Sequence, residues 1–299
     1  MVGWERERRG RRVAGGLAAA GGVLGVWLAA GACSGQGAAV QGQGAAVQGQ
    51  GAGDPVAVLH RAADRLVAAG SARARTAMEM ASGGTRVTIR GEGVYDFERR
   101  FGRLEVRLPQ DPAGTSEHRP ITELLAPGAL FMKNRGAGVP DDKWVRVETA
   151  SLSDGNLVTG GATDPFAAAE VLRGTRTATY VGRTEVGGAE VRHYRGTADL
   201  ARAARGASED NREALAAAAD GFATAEVPFD AYVDDEGRVR KVRHRFSFVN
   251  GRDEGTVDVA STTLLYDFGA AVRVRLPDDA DIYAGKIAAG PGGGTGGKN

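Results

Sequence analysis

The chain has 299 residues, and its 38 Lys and Arg against 37 Asp and Glu give a formal net charge of +1. This balance argues against a nucleic-acid partner, because binding to phosphate backbones needs a strongly basic surface. The only cysteine cannot support an internal disulfide framework, although a chain of this length can bury a sizeable core without one.

The N-terminus is typical of an export signal that ends in a lipobox. Basic residues lie at 6–12, an apolar run at 13–28, and small residues at 29–32, directly before Cys33. These three regions make an export signal, and a cysteine after the small residues resembles a bacterial lipobox. We predict that residues 1–32 are removed and that the Cys33 thiol is lipidated, with palmitate among its acyl chains. The mature protein would then be extracytoplasmic and anchored to the cell membrane.

Two alternatives stay open at this end of the chain. Residues 13–32 could be an uncleaved signal anchor, with Cys33 unmodified. The arginines are paired, so export through the twin-arginine route is as compatible as the general secretory route.

Residues 33–53 predict a flexible tether. The heptapeptide GQGAAVQ at 35–41 recurs unchanged at 42–48. A period of seven also occurs in coiled coils, but each repeat has one large apolar residue, and glycine disfavours helix. The segment should hold the next domain away from the membrane without fixing its orientation.

The folded domain is predicted to span residues 54–284 and to begin with a helix over 54–70. Asp54 suits the N-cap and Pro55 the first helical position. Alternation of apolar and polar residues then predicts strands at 76–80, 86–90, 91–97, 103–108, 128–133 and 143–148. A second Asp-Pro pair at 164–165 starts another helix, which ends before Gly174.

The second half repeats this arrangement. A hairpin turn at Gly187 and Gly188 joins two strands, and the alanine-rich stretch 197–219 predicts a helix broken near Gly206. Residues 285–299 are glycine-rich and predicted to be disordered. The strands are predicted at 177–186, 189–196, 226–233, 238–249, 256–266 and 272–276. Strands in hairpin runs with few helices predict an α+β fold, one large antiparallel sheet with helices on one face.

No pattern of residues indicates catalysis or a metal site. The four histidines (His60, His118, His193 and His244) have no second ligand at metal spacing. There is no nucleophile elbow and no phosphate loop. The acidic turn at 234–237 resembles part of a calcium loop but lacks the other ligands. We therefore predict a protein that is not an enzyme and that needs no cofactor and no metal.

The densest group of basic residues lies at 238–245 and has two interpretations. The first, which we favour, is the solvated face of a strand beside acidic turns. The second is a strip that faces anions such as lipid head groups, which Arg273 and Arg275 could extend if the last strands are neighbours.

Apolar residues at alternating positions are the remaining candidates for a site. On pattern alone they are more simply ordinary core, but part of the set could line a hollow for acyl chains, since methionine suits irregular apolar contacts. The candidates are Met78, Met80, Val87, Ile89, Leu104, Val106, Leu130, Met132, Phe229, Val242, Phe246 and Phe248.

Several motifs, in order along the chain, resemble the LppX/LprG-type lipoproteins of actinobacteria. HYRGTADL at 193–200 resembles their HYRGTVDL signature, and EVPFDAYVDDEGRVRK at 226–241 resembles their vPvdvWvDedGrlrr segment, with Tyr232 in the place of Trp. Shorter matches are KWVRV at 143–147, Asp164-Pro165 with Leu172, and YDFG at 266–269 with Leu276-Pro277.

The resemblance implies a half-barrel, a curved antiparallel sheet whose concave face is partly covered by helices, similar to the carriers LolA and LolB. It implies a monomeric envelope lipoprotein that binds and carries a lipid or lipoglycan in an apolar cavity and could hand it to an envelope transporter. It brings no catalytic residues. The alternative is an interaction or sensor module of the same fold, with a filled core and no lipid cargo.

Overall fold

The computed structural model describes residues 53–82, 84–109, 119–136, 138–250 and 255–284. The predicted signal peptide, Cys33, nearly all of the tether, His118 and the C-terminal tail lie outside the described residues.

Eleven strands of the described chain form one antiparallel sheet. They are β1 Ser71–Ser82, β2 Thr85–Asp96, β3 Phe101–Arg107, β4 Ile121–Ala126, β5 Ala129–Lys133, β6 Trp144–Glu148, β7 Thr175–Val186, β8 Ala189–Asp199, β9 Glu226–Val233, β10 Val239–Asn250 and β11 Gly255–Tyr266. The order is β6-β5-β4-β3-β2-β1-β11-β10-β9-β8-β7. The edge strands β6 and β7 do not pair with each other, so the sheet is not closed into a barrel.

Five short helices accompany the sheet in the described chain: α1 Pro55–His60, α2 Ala62–Ala68, α3 Pro165–Val171, α4 Leu200–Gly206 and α5 Glu209–Gly221. Asp54 and Asp164 cap α1 and α3 by accepting backbone N–H groups, as their Asp-Pro pairs predict. The predicted first helix divides at Arg61, and the predicted break near Gly206 separates α4 from α5.

Alternate residues of the strands divide the sheet into a helix-covered face and an outer face. The helices pack on the first face in two apolar clusters, and Ile89 packs against both. The predicted fold class, α+β with one large antiparallel sheet and helices on one face, is confirmed.

Three local predictions are corrected. Strand β4 is not among the predicted strands, because Leu124 and Leu125 are both buried and its residues show no alternation. The strands predicted at 86–90 and 91–97 are one continuous strand, β2, which contains Gly91 and Gly93, and a Cβ on Gly93 would stand 1.9 Å from the Arg103 carbonyl oxygen. Glycine is needed there because β3 approaches so closely.

The third correction concerns the predicted strand at 272–276, which is irregular in the structure. Both edges of β11 are already paired, with β1 and β10, so no edge is left for the following segment. Val274 and Leu276 instead pack with Leu124 and Phe131 on the outer face. Arg273 and Arg275 therefore do not extend a basic strand.

Candidate functional site

All twelve apolar candidate positions lie on the helix-covered face. The register shows why: Met78 stands opposite Ile89, and Met80 stands opposite Val87. Eight of the twelve are buried, and four are half-buried, namely Met80, Val87, Ile89 and Phe248. The alternation thus identifies the face, whereas its use as a lipid hollow stays a prediction.

The half-buried side chains gather near the hairpin ends of β1, β2 and β10. Val87, Met80 and Val259 are cross-strand neighbours, and Val259 faces Phe246. Phe222, directly after α5, stacks on Phe246 with ring centroids 4.9 Å apart. This end of the face is an apolar surface that the helices only partly cover.

The middle of the face is covered by residues 152–163, which we call the covering loop. Its shape is held from within, because the Asp154 carboxylate accepts the N–H groups of Asn156, Val158 and Thr159 at 3.1, 2.9 and 2.6 Å. The Asn156 side chain accepts the Gly160 N–H at 3.0 Å. The loop is therefore a folded unit in its own right.

Few polar contacts attach the covering loop to the sheet. The hydroxyls of Thr163 and Ser261 share a hydrogen bond of 2.5 Å. The Arg135 guanidinium donates to the carbonyl oxygens of Thr159 and Gly160 at 2.9 and 3.2 Å. Leu157 is its one fully buried large apolar side chain. The loop fills the space above the sheet mainly with small residues and backbone.

A carboxyl group lies buried on the same face of the sheet. Glu123 on β4 stands between Leu104 of β3 and Met132 of β5 and is 0% exposed. Neither carboxyl oxygen has a hydrogen-bond partner among the described residues. Burial raises the pKa of Glu123 to about 8, against a weaker opposing effect of Arg135. At neutral pH the group is therefore protonated.

A second polar group without a partner lies on the same face, on β10. The His244 ring is 1% exposed, near the rings of Phe229 and Phe246, and its Nε2 has no partner among the described residues. Burial lowers the pKa of His244 to about 3. The hydroxyls of Thr76 and Thr263, opposite each other on β1 and β11, also lack partners within the described chain. Such buried groups are uncommon in a core that serves stability alone.

His244 faces the helices. The other basic residues at 238–245 that make ion pairs do so on the outer side of the sheet or at its turn. Arg238 and Arg240 bind Asp234 at 2.9 and 2.8 Å. Arg243 binds Glu79 at 3.0 Å. This matches the first interpretation, a solvated face beside acidic partners.

Asp230 collects three basic groups on this outer face. Its carboxylate accepts from His193, Arg195 and Arg245 at 2.8, 2.9 and 2.9 Å. Burial alone would raise the pKa of Asp230, but these hydrogen bonds outweigh it and lower the value to about 2. His193 is thus part of an ion-pair cluster.

Within the described chain, no group of three or more His, Cys, Asp or Glu could hold a metal ion. In the same residues, no helix is long and apolar enough to cross a membrane. His60 hydrogen-bonds the Thr175 carbonyl oxygen at 3.0 Å, which explains its position between α1 and β7.

The surface pockets formed by described residues include the following two. One, of about 230 Å³, is lined by Leu108, Arg119, Asn134, Arg135, Gly136, Val139, Pro140 and Asp141. The other, of about 130 Å³, is lined by Asp96, Arg99, Phe101, Val272, Val274 and Leu276. Neither is an enclosed acyl-chain cavity between sheet and helices.

No family model and no curated protein matches the chain, but solved structures do. The chain is similar to LppX-type lipoproteins. The lipoprotein LppX of Mycobacterium tuberculosis is 10% identical, with a TM-score of 0.41, over 75% of this chain and 100% of that one. LprF from Mycobacterium bovis is 14% identical, with a TM-score of 0.36, over 75% and 96%.

A LolA superfamily protein from Nitrosomonas europaea is 11% identical, with a TM-score of 0.32, over 78% of this chain and 99% of that one. LppX and LprF are of the lipoprotein type that the sequence motifs resemble.

Proposed function

We propose that this protein is a lipid-anchored envelope lipoprotein that binds a lipid or lipoglycan between its sheet and its helices. One observation carries the proposal. Twelve apolar side chains from six strands share one face of the sheet, four of them half-buried, and a loop of small residues covers the middle of that face.

The covering loop suits displacement by a ligand. Its internal hydrogen bonds to Asp154 and Asn156 would persist when it moves. Its movement would break the hydrogen bonds of Arg135 and Thr163, the packing of Leu157 in the core and the close approach of the loop backbone at Gly155 to α5. Acyl chains entering in its place would return apolar contact to the sheet, at roughly 25 cal/mol for each Å² of apolar surface removed from water.

The sequence of the N-terminal region supports the location. A lipidated Cys33 would fix the chain to the membrane, and the repeat at 35–48 would give the domain reach. The domain could then take up a lipid at the membrane and turn away from it, toward an acceptor such as an envelope transporter.

A second candidate is an interaction module of the same fold that takes no lipid. It is favoured by the burial of Leu157, Ala162 and Thr163, each 0% exposed, which fills the space above the sheet. In this candidate the covering loop is permanent core.

Native mass spectrometry of the protein, extracted from its own membrane, separates the two candidates. The carrier should show co-purifying lipid, or should take up an offered phospholipid or glycolipid. If the extracted protein contains no lipid and takes up neither phospholipid nor glycolipid, the carrier function is contradicted and the interaction module is favoured.

A further inference from the structure

The larger of the two pockets is built where the β3–β4 and β5–β6 connections meet at one end of the sheet. Leu108 follows β3, Arg119 precedes β4, and the segment 134–141 joins β5 to β6. Its volume of about 230 Å³ is room for several water molecules, at roughly 30 Å³ each. Leu108, Val139 and Pro140 supply apolar walls.

The charges that line this pocket do not balance. Arg119 is paired with Asp141 at 2.8 Å. Arg135 has no acidic partner among the described residues, because its hydrogen bonds go to two neutral carbonyl groups. A guanidinium has five N–H donors, so three of those on Arg135 remain for another acceptor. Among the described residues, the pocket lining therefore holds two arginines against one aspartate.

The Arg135 guanidinium lies beside the covering loop where that loop meets the apolar face. A Cβ built on Gly161 would lie 3.5 Å from Arg135 Nη1, 3.5 Å from Val106 and 3.6 Å from Ile89. Gly161 thus lies between the Arg135 guanidinium and the apolar side chains of Val106 and Ile89, and Val87 and Met80 continue the same face. A molecule with an anionic group at one end and apolar chains at the other would match both parts.

We infer that this pocket binds the anionic headgroup, a phosphate or carboxylate, of the lipid whose acyl chains lie along Ile89, Val87 and Met80. The inference rests on the proposed function and names the ligand class for the same site. The planar fork of Arg135 suits two oxygens of one anion, and Arg119, held by Asp141, lines the same pocket with further N–H donors. A zwitterionic headgroup would place its ammonium group beside these arginines and be disfavoured.

The test compares phosphatidylglycerol with phosphatidylcholine of the same acyl chains, each offered to the protein in neutral detergent micelles, by native mass spectrometry. The wild type should prefer phosphatidylglycerol by about tenfold, the value of one charge-assisted hydrogen-bond pair. R135Q and R119Q should both lose this preference. R103Q, an exposed arginine on the outer side of β3, is the matched control and should keep it.

R119Q and one further variant, R135K, keep the result interpretable. R119Q does not touch the covering loop, so it tests the pocket even if R135Q loosens that loop. R135K keeps the charge without the fork and should retain part of the preference. Inorganic phosphate should compete with phosphatidylglycerol in the wild type but not in R119Q.

The outcomes separate this inference from the proposed function. Lipid adducts without headgroup preference, or equal losses in R135Q and R103Q, would overturn the inference alone. Binding of inorganic phosphate without any effect on phosphatidylglycerol would assign the pocket to free phosphate and overturn the headgroup role. Absence of any lipid adduct would overturn both.

Discussion

Glu123 makes the stability of this protein depend on pH, and a single substitution can remove that dependence. Its pKa is 4.5 for an exposed glutamate and about 8 when buried in the fold. The folded state therefore holds a proton that the unfolded state releases, and the stability present below pH 4.5 is lost as the pH rises through 8. Holding that proton at pH 7 costs about 3 kcal/mol.

Glu123→Gln should recover most of this free energy. Glutamine has nearly the same shape and, like the protonated carboxyl group, is neutral and would be buried without a partner among the described residues. The variant should be more stable than the wild type by up to about 3 kcal/mol at pH 7. Near pH 4.5, where the unfolded glutamate regains its proton, most of the difference should disappear.

Urea unfolding at pH values near 4.5, 6 and 8 measures this effect. Trp144 is the one tryptophan after residue 32 and reports unfolding by fluorescence. Glu79→Gln is the control, because Glu79 is a half-exposed partner of Arg243 and its removal should give a small effect that changes little above pH 6. A difference between wild type and Glu123→Gln that is the same at every pH would refute the reasoning.

Three further predictions concern other parts of the chain. The pKa of His244 falls from 6.5 to about 3, so the stability that its neutral ring contributes is present above pH 6.5 and is lost as the pH falls. At pH 5, His244→Leu should therefore raise the free energy of unfolding by about 2 kcal/mol. A variant that is no more stable than the wild type at pH 5 would contradict this prediction. Gly93→Ala should destabilise the sheet by about 2 kcal/mol or more in thermal unfolding, since its Cβ would meet the Arg103 carbonyl oxygen; a wild-type Tm would show that the strands yield freely. Cys33→Ala should release a folded protein from membranes on fractionation, and a variant that stays membrane-bound would favour the signal anchor.

The face of the sheet could be predicted because strands have a period of two. Met78 and Met80 point to the helices and Glu79 points away, and the sequence shows this directly. Strand β4 could not be predicted in this way, because its outer face is covered by Val274 and Leu276, which follow about 150 residues later in the chain. Burial on both faces removes the alternation of apolar and polar residues. The sequence around β4 cannot indicate that Val274 and Leu276 will cover it, because they lie so far along the chain.

The polar groups of the candidate site were harder to predict than its apolar ones. Glu123 gave a usable signal, a single carboxyl group within the apolar run ITELLA. Arg135 gave none, since it lies in a glycine-containing turn where an arginine is usually solvated. Its role depends on the covering loop, whose position above β3 and β5 is set by long-range contacts.

In the proposed carrier, the covering loop moves to admit a lipid between the sheet and the helices. A disulfide between the substitutions Thr163→Cys and Ser261→Cys would prevent this movement, because the two hydroxyl oxygens are 2.5 Å apart and the bond would fix the loop to the sheet. In a Cys33→Ala background, no other cysteine is present. The oxidised protein should take up no phosphatidylglycerol by native mass spectrometry, and reduction should restore uptake. Equal uptake in the oxidised and reduced forms would show that lipid enters without movement of the loop.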